Sequence, residues 1–274
     1  MIRLAVRCRA EHADRVLAEL LELVPDGVEQ DEGGDWVEFG IYGPPGELPA
    51  LPALEATVGD GLIEISSTEI PDDWADSWRD FHKAISIADG RLVVRPSWEA
   101  DAGARAEVDI RIDPGQAFGT GAHATTSMCL GILVDLADQG QAAGSLADLG
   151  TGFGVLAIAA ARLGWSPVLG CDSEVAAIDA ARENATSNGV ELELRRLNLR
   201  EQDPPATPTV VANLTAPLLE TVAARLTAET RTLVCSGLLT SQEEQVSGAL
   251  TAAGLEVAER RSQGDWAALL AARR

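Results

Sequence analysis

The feature that most constrains this chain is a run at residues 146–156: Leu146-Ala147-Asp148-Leu149-Gly150-Thr151-Gly152-Phe153-Gly154-Val155-Leu156. A short apolar strand enters three alternate glycines and leaves as an apolar helix. Glycine lets a backbone turn tightly and approach a ligand with no Cβ in the way. A helix that opens there points its unpaired N–H groups at whatever occupies the loop. One strand later, Val168-Leu169-Gly170-Cys171-Asp172 ends on an acid, twenty residues after Gly152. A carboxylate at that place accepts the hydroxyls of a ribose. Strand, glycine loop, helix, strand and acid predict a nucleotide-type α/β unit.

Spacing separates two cofactor classes. A dinucleotide loop needs G-x-G-x-x-G. Here the third glycine falls at 154, and Val155 stands where the dinucleotide loop requires it. Asp148 sits just ahead of the loop. This loop resembles that of class I methyltransferases, which bind S-adenosylmethionine. The resemblance implies a cofactor with no pyrophosphate to cradle, and an amino group within reach of an acid such as Asp148.

The rest of the chain extends the pattern. Strands are predicted at 106–112, 145–149, 167–171, 192–197, 209–213, 231–235 and 265–271. Helices fall between them, among others at Thr125–Ala137, Val155–Leu163, Val175–Ser187 and Ala216–Leu226. Such alternation predicts a doubly wound, mostly parallel, seven-stranded Rossmann-like sheet covered by helices on both faces, over residues 100–274. Residues 1–70 read instead as a small α+β unit. Ile2 to Cys8 alternates as a half-buried strand does, and Val16, Leu17, Leu20, Leu21 and Val24 recur at helical spacing. Trp36 to Tyr42 and Leu62 to Ile65 read as strands, and Leu51, Leu54 and Val58 as a short second helix. The order β-α-β-β-α-β is ferredoxin-like. Residues 71–99 read as a linker, with Trp74, Trp78 and Phe81 on one helical face packed between the two domains, and a strand at Leu92-Val93-Val94.

Composition narrows the classes of partner. The 274 residues carry a net charge of −22, with Lys83 the only lysine among 21 basic residues. A field of that sign repels nucleic-acid phosphates and anionic lipid, and attracts a basic partner. No apolar run approaches the roughly 18–20 residues of a spanning helix. Arg7 and Arg9 interrupt the place of a signal peptide's apolar core. A cytoplasmic monomer, away from membranes and without direct nucleic-acid binding, is expected. Cys8, Cys129, Cys171 and Cys235 are scattered, as are His12, His82 and His123, so neither a metal site nor a disulfide framework is expected.

A second loop precedes the glycine strand: Asp113-Pro114-Gly115-Gln116-Ala117-Phe118-Gly119-Thr120-Gly121-Ala122-His123-Ala124-Thr125-Thr126. Thr125 or Thr126 is a candidate N-cap for the helix that follows. Downstream, Val210-Val211-Ala212-Asn213-Leu214 puts Asn213 at a strand's C-terminal end, and Cys235-Ser236-Gly237-Leu238 follows the next strand. Together with the glycine loop, Asp172, Ala181-Arg182-Glu183-Asn184-Ala185 and Asn188-Gly189, these runs resemble the ribosomal protein L11 methyltransferase family, bacterial protein-lysine and α-amine methyltransferases. The likeness extends over nearly the whole chain. Asn198 stands where an acid is commoner, and Glu174 where Asp is.

The resemblance implies that Thr126, Gly150, Asp172 and Asn213 contact S-adenosylmethionine, with Asp148 and Gly152 in the same loop. Phe118, Gly119 and Thr120 would line the pocket from upstream. Asn213 would also orient the acceptor nitrogen, with the Leu214 carbonyl beside it. The implied substrate is ribosomal protein L11, a basic protein, recognised by residues 1–70. A related methyltransferase acting on another protein's lysine or on a small molecule is the alternative. A binding module without activity and an NAD-dependent oxidoreductase are weaker readings. The first would be expected to have a damaged loop. The second is disfavoured by Val155. His123 reads as a packing residue rather than a base.

Overall fold

A computed structural model describes residues 2–23, 28–43, 63–69, 83–99, 105–112 and 123–273. They divide into two compact units, one holding the described residues up to 69 and the other those from 83 on. The aromatic face of Trp74, Trp78 and Phe81, the helix predicted near Leu51–Val58, and the loop with Phe118, Gly119 and Thr120 all lie outside the described residues.

In the first unit, β1 (Ile2–Arg9) leads through a short turn into α1 (Ala13–Leu23). Then come β2 (Glu29–Gly33), β3 (Trp36–Gly43) and β4 (Ile63–Glu69). The sheet order is β2-β3-β1-β4, every pair antiparallel. That is the order a ferredoxin-like unit takes. The strand period of two puts Leu4, Val6 and Cys8 on the same face as Val37, Phe39 and Ile41, and all six are buried. Val16, Leu17 and Leu20 of α1 are buried too. The other face carries Arg7 and Arg9, whose guanidinium groups lie 5.2 and 5.4 Å from the centre of the Trp36 ring.

The second unit opens with a three-stranded sheet: β5 (Ile85–Ile87), β6 (Leu92–Arg95) and β7 (Val108–Arg111). Residues 83–99, read above as linker, therefore belong to this unit. There follow α2 (Ala124–Asp138), β8 (Leu146–Leu149), α3 (Val155–Leu163), β9 (Val168–Asp172), α4 (Val175–Ser187) and β10 (Glu193–Arg196). The chain ends with β11 (Thr209–Asn213), α5 (Ala216–Ala223), β12 (Thr232–Leu239), α6 (Glu243–Ala252), β13 (Glu256–Gln263) and β14 (Trp266–Ala272).

The large sheet has seven strands in the order β10-β9-β8-β11-β12-β14-β13. The first five run parallel, and the last two form an antiparallel hairpin against β12. Its seven members are not the seven predicted. The strand expected at 106–112 belongs to the small sheet, and residues 256–263 take its place. β13 reads as polar because it is an edge strand: Glu259, Arg260 and Arg261 decorate it, as edges commonly are charged against mispairing. The central strands are mostly apolar, with Asp148 of β8 and Ser236 of β12 among the buried exceptions. Ala147, Leu149, Leu169, Val210, Ala212, Leu233 and Leu269 sit in one buried cluster with Leu219, Val222, Val246 and Leu250 from the flanking helices. All four cysteines are free and buried. Burial pushes the thiols of Cys171 and Cys235 up to about 12, so both are small core fillers.

Parallel strand order reverses between β8 and β11, which leaves a crevice beyond their carboxyl ends. β8 ends at Leu149 before Gly150, β9 ends at Asp172, and β11 ends at Asn213, so three of the residues implied as cofactor contacts converge on that crevice.

A part-buried ion pair holds β6 to β7. Arg95 donates from Nε and Nη2 to both carboxylate oxygens of Asp109, at 2.7 and 2.6 Å, and its side chain is 8% exposed. Asp109→Ala would strand a buried guanidinium, at a cost of about 2–4 kcal/mol. Asp138 pairs with Arg91 in solvent, and Asp138→Ala should cost far less. Urea denaturation midpoints compare the two, and equal shifts would contradict this account.

Candidate active site

The crevice is built around two carboxylates. Asp148 is wholly buried in β8. Its Oδ2 accepts the Thr151 hydroxyl at 2.7 Å and the Ala157 amide of α3 at 3.1 Å. Its Oδ1 is buried with no partner among the described residues. Burial pushes this carboxyl up to about 7, against the pull of the Thr151 and Ala157 bonds. Asp172 is half-buried at the tip of β9, and its Oδ2 and Oδ1 accept the Gly152 amide at 3.0 Å and the Glu174 amide at 3.2 Å. Both acids therefore brace the loop between them.

That bracing decides what the loop offers a ligand. Gly150, Gly152 and Gly154 have φ of +72°, +51° and +81°, a region that side chains avoid. The amides of Gly150 and Thr151 both donate to the Cys171 carbonyl, at 2.8 and 2.9 Å, and Gly154 donates to the Thr151 carbonyl at 2.7 Å. Gly152 is committed to Asp172, and the Ala157 amide in the first turn of α3 to Asp148. A pyrophosphate needs such amides free, together with the positive end of the helix. Here the chain's own carboxylate takes one amide of that end.

Opposite the loop, β11 ends on Asn213. Its Nδ2 donates to the Thr126 hydroxyl of α2 at 3.1 Å. The bond fixes the amide and leaves Oδ1 as an open acceptor, since no described residue donates to it. Thr126 is buried in the first turn of α2. The N-cap of that helix is His123, not Thr125 or Thr126: its Nδ1 accepts the Thr125 amide at 3.4 Å and lies 2.7 Å from the Thr125 hydroxyl. His123 also meets Trp266 edge-to-face, with ring centres 4.8 Å apart. Burial lowers its pKa to about 4, which keeps the ring neutral. The imidazole is a capping group packed on Trp266.

Two asparagines that carried no assigned role prove to be connectors. Asn184 donates to the Phe153 carbonyl inside the glycine loop, at 3.0 Å. One turn on, Asn188 accepts the Arg111 amide at 2.8 Å and donates to the Arg111 carbonyl at 2.6 Å and the Asn184 carbonyl at 2.8 Å. Its side-chain amide pairs with the end of β7 as a neighbouring strand would. The spacing of four on one helix was the signal available in the sequence. Asn198 accepts the Arg200 amide at 3.1 Å, closing a local turn.

This arrangement has known relatives. A sequence model of the family described as ribosomal protein L11 methyltransferase (PrmA) matches residues 53–274. The chain belongs to this family. The Symbiobacterium thermophilum ribosomal protein L11 methyltransferase is 42% identical over 204 residues, which are 73% of this chain and 66% of that one. The Pelotomaculum thermopropionicum protein of the same name is 40% identical over 231 residues, 82% of this chain and 74% of its own length. The chain thus spans about two thirds to three quarters of these relatives. The crystal structure of ribosomal protein L11 methylase from Lactobacillus delbrueckii subsp. bulgaricus superposes with a TM-score of 0.60 at 29% identity, over 70% of this chain and all of that one. The family match begins at residue 53, so β1 to β3 precede it and the likeness is narrower than nearly the whole chain. Among the described residues no group of His, Cys, Asp and Glu is arranged to hold a metal, and no helix is long and apolar enough to cross a membrane.

The state of Asp148 has a measurable consequence. Its folded pKa of about 7 lies above the value near 4 of an unfolded aspartate. Below pH 4 both states hold the proton. Between pH 4 and 7 only the folded state does, so stability falls as pH rises through that window, by up to about 1.4 kcal/mol per unit. Asp148→Asn removes this term. The difference in melting temperature between variant and parent should shift in the variant's favour from pH 4.5 to 7.5, and parallel curves would contradict the burial argument.

Proposed function

We propose that this chain is an S-adenosylmethionine-dependent protein N-methyltransferase acting on amino groups of ribosomal protein L11, on lysine side chains, the N-terminal α-amine, or both. The observation that carries the reading is the commitment of the glycine-loop amides to Asp148, Asp172 and Cys171. This leaves a nucleoside site without a pyrophosphate slot. The L11 substrate is supported by the names of the relatives and by the charge of −22, which suits a basic protein.

The residues present fit this cofactor. Asp172 holds its carboxylate at the strand tip by two backbone amides and stays half-exposed, as a ribose acceptor must. Gly150 and Gly152 bring bare backbone to the same place. Phe118, Gly119 and Thr120 would close the pocket from the upstream loop. S-adenosylmethionine, when bound, supplies a sulfonium methyl already activated for displacement.

The chain then has to align an amine with that methyl. The amine must be neutral, and a lysine with pKa of about 10.4 is harder to deprotonate than an α-amine at about 7.7–8.0. Asn213 Oδ1, fixed by the bond to Thr126, accepts an amine N–H and so aims the lone pair. The open carbonyl of Leu214 is the neighbouring acceptor. Among the described residues no group of the crevice is placed as a dedicated base. His123 is neutral but occupied by the cap, so solvent takes the proton before attack. Residues 1–70 would serve as the recognition module, ahead of a catalytic domain at 100–274.

Purified chain incubated with S-adenosylmethionine and separated ribosomal proteins should add one or more methyl groups to L11, read by intact mass. Asn213→Ala should lower the rate on the order of 100-fold. Asp172→Ala should weaken cofactor binding on the order of 10- to 100-fold, the size of one hydrogen bond to a charged group. Methylation of another protein instead of L11 would transfer the reading to a different substrate. Unchanged affinity in Asp172→Ala would refute the ribose assignment.

A further inference from the structure

Gly237 lies in β12, beside the end of β11, and the established likeness gives it no part in the reaction. β11 and β12 run parallel, with Asn213 opposite Ser236. The Leu214 amide donates to the Ser236 carbonyl at 3.0 Å, extending the pairing by one residue. At the next step β12 breaks its register with β14, between Ser236 and Leu238. Gly237 makes this break with φ of +85°.

The break turns Gly237 against the backbone of Leu214. A Cβ at residue 237 would lie 2.7 Å from the Leu214 carbonyl carbon, 2.9 Å from its nitrogen, and closer still to its oxygen. These are backbone atoms, so no rotamer change relieves the contact. The segment cannot retreat on its other side either. The Leu214 side chain fills the space where Gly150 lacks a Cβ, and a Cβ there would strike its Cδ2 methyl. Asn213, one residue back, is tied to Thr126. Residues 213–215 are thus held between the ends of β8 and β12 with no slack.

We propose that Gly237 is a positioning residue of the transfer site: its missing side chain keeps the Leu214 carbonyl seated and uncovered beside Asn213. Among the described residues no donor reaches that carbonyl, nor Asn213 Oδ1. Two open acceptors at one strand end match the two N–H groups of a neutral primary amine. With both hydrogens held, the lone pair has one direction left. A side chain at 237 would both cover the carbonyl and push the acceptor pair out of line. Misplacement of about 1 Å costs on the order of 100-fold in such alignments.

This inference rests on the reading of the crevice as an amine-methylating site. Three variants test it in the full chain, with L11 as acceptor. Each is measured for melting temperature, cofactor Kd and kcat. Gly237→Ala should lower kcat at least about tenfold, and by a larger factor than it raises cofactor Kd, because Asp172 is untouched while Leu214 leans on Gly150. Gly237→Asn separates strain from contact, since asparagine tolerates positive φ but still carries a Cβ. It should regain only the part of the melting temperature lost to strain, because its Cβ meets the same Leu214 backbone, and it should not regain kcat; both variants are assayed well below their own melting temperatures. Gly140→Ala is the control: φ there is +73° and nothing lies within 4 Å of the added atom. It should lose melting temperature and keep kcat. If Gly237→Asn recovers kcat together with stability, backbone strain alone explains the glycine and the positioning role is overturned. If Gly237→Ala transfers methyl groups as fast as Gly140→Ala while Asn213→Ala is inactive, the role falls and the site stands. An Asn213→Ala variant as fast as the parent would overturn both.

Discussion

A carboxylate with no water around it organises this site. Asp148 is buried in the first strand of the large sheet, where an isolated charge is costly. Two bonds on one oxygen offset part of that cost, and burial still raises its pKa to about 7. What the chain gains is a rigid loop. The same oxygen joins the loop hydroxyl of Thr151 to the first turn of α3, so glycine turn and helix start move as one piece. An amide of the helix's first turn is already bonded from inside the protein. A ligand entering the crevice meets a nucleoside-sized shelf and no phosphate receptor.

The other functional groups are placed by strand ends rather than by loops of their own. Asp172 closes β9 and Asn213 closes β11, on either side of β8. Their spacing is therefore set by strand separation, a nearly constant quantity in a parallel sheet. Side chains on flanking helices then fix orientation: Thr126 of α2 holds the Asn213 amide, and Asn184 of α4 holds the Phe153 carbonyl. Asn188 carries the tie on to the end of β7. Fixing of this kind suits a displacement in which the methyl donor is already activated and geometry is what the protein must supply.

Much of this was legible in the residues. The glycine spacing and the acid twenty residues on place Asp148, Gly150, Gly152 and Asp172 together because a strand-turn-helix leaves little freedom between them. α3 and α4 fall at their predicted residues because apolar periodicity over a dozen positions is a strong signal. β13 was missed because an edge strand with Glu259, Arg260 and Arg261 carries no apolar period, and β7 was assigned to the wrong sheet because four residues do not say which neighbour they pair with. The N-cap at His123 was assigned to threonine on propensity, while the packing of the ring on Trp266, 143 residues away in the chain, decides it. Contacts of that kind, like the contact of Gly237 with Leu214, depend on strand register and have no local mark.

The central claim is that the glycine loop takes a nucleoside sulfonium and refuses a dinucleotide, because its amides and the end of α3 are already bonded to the chain. Calorimetric titration of the full chain with S-adenosylmethionine and, separately, with NAD tests it most directly. The account predicts saturable binding of S-adenosylmethionine to a single site, and no heat above dilution from NAD at about 1 mM, the weak limit of specific binding. Binding of NAD as tight as that of S-adenosylmethionine would contradict it.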